Sequence, residues 1–132
     1  GRMGQGYLMD TNVVIDYLAG KIPKAGMKFL SSLVDKRPNI SVISKIELLR
    51  FNMSPESAAI LNDFVAHSII YPMDNKVVDI TIKICREHKI KLPDAVIAAT
   101  CIAHDLILLT RNTDDFKNIV RLKWQNPWNI IP

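Results

Sequence analysis

The sequence predicts an α/β sandwich, a central and mostly parallel sheet with helices on both faces, and three observations carry that expectation. Short apolar runs alternate with stretches of helical periodicity along the chain. The run Ile107 to Thr110 is apolar up to its last residue, the pattern of a strand buried on both faces as in a parallel sheet. Residues that favour helix starts, Asp10, Ser44, Ser54 and Asp74, stand where the period changes. Parallel strands cannot be joined by tight turns and need crossover connections, usually helices, so the alternation and the parallel pairing imply each other.

Tyr7-Leu8-Met9 makes the first strand and stops at Asp10, behind which Val13, Val14, Tyr17 and Leu18 recur at helical spacing. Ile40 to Ile43 is the second strand. It leads into a helix over Lys45 to Phe51, with Ser44 as N-cap and Ile46, Leu48 and Leu49 on its apolar side. Ser54-Pro55-Glu56 opens a helix to about Ala66, with proline at the first helical position, where its missing N–H leaves no bond unmade. Ser68 to Tyr71 is a short strand, and Asp74 then caps a helix whose apolar face is Val77, Val78, Ile80, Ile84 and Cys85. The charged stretch Arg86 to Lys91 closes it. Leu92-Pro93-Asp94 opens a helix to about His104 that is apolar almost all round, as suits a helix lying between a sheet and another layer.

With 132 residues the chain is read as one domain, residues 1–132, large enough to bury a core without disulfides or structural metals. Gly1-Arg2 ahead of Met3 looks like an expression remnant, so residues 1–5 are expected to be that remnant or a disordered start, with no secretory signal. Hydrophobic residues at 48% and charged residues at 23% place the chain with folded rather than disordered proteins. No apolar run is long enough to cross a bilayer as a helix. Cys85 and Cys101 sit in apolar helical patterns and are expected to be reduced core thiols, which points to the cytoplasm. The net charge of +4 favours a polyanionic partner without specifying one.

In open parallel sheets, sites form beyond the carboxyl ends of the strands. Asp10 ends the first strand and is followed by the short polar side chains of Thr11 and Asn12; Glu47 is expected on the first turn behind the second strand, and Asp94 starts the most apolar helix. Each acid alone is explained as a cap or a solvated helix start. Together they are brought to one edge by the sheet, where the polar turn Thr110-Arg111-Asn112-Thr113-Asp114-Asp115-Phe116 adds further oxygen ligands. Converging carboxylates repel one another unless a cation neutralises them, and hard oxygen ligands select Mg²⁺ or Mn²⁺ over zinc. Cys101 and His104 have one-turn metal spacing but no second pair, His67 and His88 have no acid–base partner, and Trp124 and Trp128 are assigned to packing rather than base stacking.

Four fragments in this order make the chain resemble PIN-domain proteins, and among them the VapC-type toxins of prokaryotic toxin–antitoxin pairs. They are Leu8-Met9-Asp10-Thr11-Asn12-Val13-Val14-Ile15-Asp16, Ser41-Val42-Ile43-Ser44-Lys45-Ile46-Glu47-Leu48, Leu92-Pro93-Asp94-Ala95-Val96-Ile97-Ala98-Ala99-Thr100, and Leu109 to Phe116 with Asn126-Pro127-Trp128 behind it. The resemblance implies a PIN-like three-layer sandwich, a Mg²⁺- or Mn²⁺-dependent endoribonuclease, a cognate antitoxin that blocks the site, and a homodimer. Asp10, Glu47 and Asp94 match the family's acids. Many relatives carry a fourth acid where Asn112 stands here, so the fourth position is open between Asp115, Asp114 and Asn112, with Asp115 favoured because it directly precedes Phe116. Thr11 and Asn12 are then expected to orient water or phosphate, Thr110 and Asn112 to steady the acids, and Lys45 and Arg111 to meet the RNA backbone.

Two other functions compete. A haloacid-dehalogenase-like phosphatase also starts with an aspartate after a strand, but its second acid would stand at Asn12 and the chain leaves no room for the usual cap. A PIN-like module that binds nucleic acid or protein without chemistry is opposed by the retention of Asp10, Glu47 and Asp94.

Overall fold

The computed structural model describes residues 6–131, so the remnant expected at residues 1–5 lies outside the described residues. Five short strands alternate with helices: β1 (Gly6–Met9), α1 (Thr11–Leu18), α2 (Lys24–Lys36), β2 (Asn39–Ser41), α3 (Val42–Leu49), α4 (Pro55–His67) and β3 (Ile69–Tyr71). Then come α5 (Asn75–Glu87), α6 (Leu92–His104), β4 (Leu106–Leu109), α7 (Thr113–Phe116), β5 (Trp124–Gln125) and a 3₁₀ turn over Pro127–Asn129.

All the pairings are parallel. β4 runs between β1 and β5, with Leu8 opposite Leu108 and Leu108 opposite Trp124, while β2 pairs with β3 through Ile40 and Ile70. The two ladders are joined by a side chain: Asn39 Nδ2 donates to Tyr7 O at 2.8 Å, so the strands lie in the order β3-β2-β1-β4-β5. The amide oxygen of Asn39 is buried and unpaired among the described residues.

Side chains on a strand point alternately to the two faces, and here each face has its own core. Leu8, Leu106 and Leu108 pack with Val77 and Ile84 of α5, with Ala95 to Ala99 and Cys101 of α6, and with Phe116. Their chain neighbours Met9 and Leu109 pack on the other side with Val13 and Val14 of α1, Leu30 of α2, Leu48 of α3 and Phe64 of α4. The result is a three-layer sandwich, helices on sheet on helices, in agreement with the expected class. α6 is buried continuously from Ala95 to Cys101, as its all-round apolar composition requires.

The structure differs from the sequence expectations at four places. Helix α2 was not anticipated, although Met27, Leu30 and Val34 form its inward stripe. The second strand ends at Ser41 rather than Ile43, because the Ser41 hydroxyl accepts the Ile43 N–H at 3.1 Å and starts α3 there; Ser44 is buried inside the helix and is not its cap. Cys85 is exposed on α5, whose buried side is Val77, Thr81 and Ile84, so only Cys101 is a core thiol. β5 and the 3₁₀ turn give the terminal segment a fixed place beside β4.

Candidate active site

The edge formed by the carboxyl ends of β1 and β4 is built by backbone bonds that outlast the strands. Asp10 N donates to Leu109 O and Thr110 N to Gln125 O, both at 3.0 Å, so Asp10 and Thr110 stand side by side as the next pair of the ladder. Asp10 is buried, 6% exposed, and each of its carboxylate oxygens has a protein donor. Thr11 N–H donates to Oδ1 at 2.8 Å and the hydroxyl of Thr110, fully buried, donates to Oδ2 at 2.9 Å. Burial pushes the Asp10 carboxyl above its ordinary value. The two hydrogen bonds oppose that shift, and the negative charge of Glu47 adds to it.

Glu47 reaches this edge from the second turn of α3, since the helix begins at Val42 and not where the sequence pattern put it. The Thr11 hydroxyl donates to Glu47 Oε1 at 2.7 Å. A hydroxyl has one proton to give, so the 2.8 Å contact between Thr11 Oγ1 and Ser44 Oγ must be donated by Ser44. The chain Ser44 to Thr11 to Glu47 thus holds the acid of α3 against the start of α1.

Asp94 lies half-buried in the first turn of α6. Its carboxyl is pushed from the ordinary 3.8 up to about 6, first by burial and then by the negative charges of Asp10, Asp115 and Glu47, with Lys91 opposing. Four carboxylates from four separate parts of the chain therefore act on one another at one edge of the sheet.

The polar turn after β4 resolves into a pair. Asn112 Nδ2 donates to Asp115 Oδ2 at 2.6 Å, and the hydroxyl of Thr110 accepts the Asn112 N–H at 3.0 Å. Asp114 is drawn instead to Lys117 at 3.2 Å, with both side chains exposed. Asn112 and Asp115 are partners rather than rivals for the fourth place, and it is the charge of Asp115 that reaches Asp94.

A cleft of about 450 Å³ opens here, lined by Asp10, Asn12, Asp16, Arg111 and Asn112. Cavities under α5 and beside α2 hold none of these residues. Arg111 lies with its guanidinium carbon 4.6 Å from the ring centre of Trp128. Lys45 is exposed on α3, two residues from Glu47 and so roughly 200° round the helix from it, while the cation that acts on Asp94 is Lys91. Sequence reasoning missed Asp16 and Lys91 as site residues. Asp16 was legible as the residue one turn beyond Asn12 on α1, and Lys91 as the residue before α6.

The fit of a divalent cation is partly answered by these donors. They are all hard oxygens, and their mutual repulsion is what a cation would relieve. Among the described residues no three His, Cys, Asp or Glu side chains stand close enough to grip one ion directly. An open arrangement suits Mg²⁺, which keeps several of its waters and takes only one or two carboxylates, better than it suits zinc, which wants a closed set.

A family model described as PIN domain matches residues 7–122. No curated protein sequence matches the chain significantly. Among solved structures, a chain of a toxin–antitoxin complex from Klebsiella pneumoniae is 28% identical with a TM-score of 0.74, over 95% of this chain and 100% of that one. A chain of FitAcB from Neisseria gonorrhoeae is 27% identical with a TM-score of 0.72, over 94% and 99%. DNA-bound VapBC from Salmonella typhimurium has a chain that shares the fold, with a TM-score of 0.79 at 21% identity, over 94% and 99%.

Proposed function

Because the chain belongs to the PIN-domain family, we propose that it is a Mg²⁺- or Mn²⁺-dependent endoribonuclease and the toxin of a toxin–antitoxin pair. The observation that carries the reading is the shared field of Asp10, Glu47, Asp94 and Asp115 at one sheet edge. One or two of these acids would hold the cation directly, and the others would face its waters. When bound, it would polarise a phosphate oxygen and supply activated water for hydrolysis of the RNA phosphodiester.

The chain's own residues prepare that edge. Thr110 and the Thr11 N–H fix both oxygens of Asp10, Ser44 and Thr11 aim Glu47, and Asn112 aims Asp115. These bonds orient the acids from behind, as supporting partners do at metal sites. Asn12 and Arg111, on the walls of the cleft, would meet phosphate. Similarity over nearly the full length to a chain of a toxin–antitoxin complex supports a cognate antitoxin as partner; the protein would act in the cytoplasm as a homodimer. Among the described residues no helix is long and apolar enough to cross a membrane.

The test is a variant series on purified protein with RNA and MgCl₂. Asp10→Asn, Glu47→Gln and Asp94→Asn are each expected to lower the cleavage rate by at least about 100-fold, the order of loss when a charge-stabilising group is removed from a reaction centre, with circular dichroism unchanged. Asp10→Asn cleaving at the parent rate would refute the assignment.

A further inference from the structure

We infer that Trp128 is a positioning residue for Arg111, and that the stacked pair forms a phosphate-binding fork at the rim of the acidic cleft. The identification of the phosphate as that of an RNA backbone rests on the nuclease reading above.

Arg111 is the one cation among the five residues that line the cleft, in the company of Asp10 and Asp16. Its backbone is fixed because it follows Thr110, whose hydroxyl binds Asp10 and whose N–H binds Gln125 O. A long, flexible arginine beside two carboxylates would be expected to fold onto them. Among the described residues, however, Arg111 makes no salt bridge; its guanidinium lies over the indole of Trp128 instead. Stacking occupies the face of the guanidinium and leaves its edge N–H donors free in the fork geometry that matches two phosphate oxygens.

Trp128 is itself held firmly enough to act as a prop. Asn126 Oδ1 accepts the Trp128 N–H at 2.9 Å, and Asn126 O accepts the Asn129 N–H at 3.0 Å, which closes the 3₁₀ turn. The turn sits directly on α2, where a Cβ added to Gly26 would overlap the Pro127 carbonyl oxygen. The indole also packs against the core that contains Met9, Val13 and Leu109. Arginine and prop thus hang from neighbouring strand ends: Arg111 follows β4, and the turn that carries Trp128 follows β5.

The experiment measures binding of a fluorescein-labelled single-stranded oligoribonucleotide by anisotropy in EDTA across a series of KCl concentrations, which reads affinity whether or not the protein cleaves. Arg111→Ala is expected to weaken binding about tenfold, the worth of a charge-assisted hydrogen-bonded contact, and to reduce the slope of log Kd against log salt by about one. Trp128→Leu should shift both quantities the same way, Trp128→Phe should stay near the parent because it keeps an aromatic face, and Arg111→Ala/Trp128→Leu should be no worse than Arg111→Ala alone. Should Trp128→Leu fail to fold by circular dichroism, Trp128→Met takes its place. Equal behaviour of the leucine and phenylalanine variants, multiplying losses in the double variant, or an unchanged slope in Arg111→Ala would overturn the proposal. The same pattern in a protein that cleaves no RNA would leave the fork standing and remove the nuclease reading; metal-dependent cleavage with unaltered binding in Arg111→Ala would do the reverse.

Discussion

Asp94 is the residue at which the site's electrostatics are most easily measured. Its carboxyl titrates near 6 in the folded protein against 3.8 ordinarily, so folding favours the protonated form. The contribution of this group to stability is therefore full below about pH 3.8 and is lost as the pH rises through about 6. In metal-free protein, Asp94→Asn should raise the melting temperature at pH 7 by roughly 3–5 °C and by almost nothing at pH 4. That magnitude assumes that solvent around a half-exposed carboxyl cuts the effect to about 1 kcal/mol. Scanning calorimetry at the two pH values decides it, and an equal gain at both would mean that the charge is not repelled. The places of Asp10 and Asp94 were legible from the sequence because one follows a strand and the other stands in the first turn of a helix. Thr110 was expected as a support only through the family resemblance, and Thr11 was expected to orient water or phosphate rather than Glu47: the bonds Thr11 to Glu47 and Thr110 to Asp10 join residues separated by 36 and 100 positions, and no local spacing encodes them.

At the scale of elements, α3 depends on one side chain for its start. Ser41 is fully buried and its hydroxyl caps the helix, so Ser41→Ala should cost about 1 kcal/mol of stability and lower the urea midpoint without changing the slope of the transition. A variant as stable as the parent would show that the Ser41 hydroxyl does not stabilise the start of α3. The sequence misplaced this boundary because the apolar run Ile40 to Ile43 continues from strand into helix with no break in hydrophobicity, and two serines stood available as caps. The helices that begin behind Asp10, Ser54 and Asp74 were legible, since there the period and the cap agree; α6, which has no capping side chain, was legible from Pro93 in its first turn and the apolar run behind it. α2 has no capping side chain and no acid in its first turn to mark its start, and Trp124–Gln125 is too short to show any periodicity. Cys85 was assigned inward because its neighbours are apolar, but on α5 the buried stripe passes through Thr81 instead.

The whole molecule places its chemistry at one rim. The connections that leave β1, β2 and β4 of the two parallel ladders carry Asp10, Glu47 and the Asn112–Asp115 pair, with Asp94 arriving from the start of α6. On the proposed nuclease reading, a chain of net charge +4 would draw a polyanion to its acidic rim, and the acids would hold off the substrate phosphate until a cation is present. The most direct test is cleavage of a single-stranded RNA by the chelator-stripped protein, with EDTA and then with excess MgCl₂ or MnCl₂ restored. We expect no cleavage in EDTA and recovery with either metal, alongside an inactive Asp10→Asn. Full activity in excess chelator, or none with both metals in a folded protein, would contradict it.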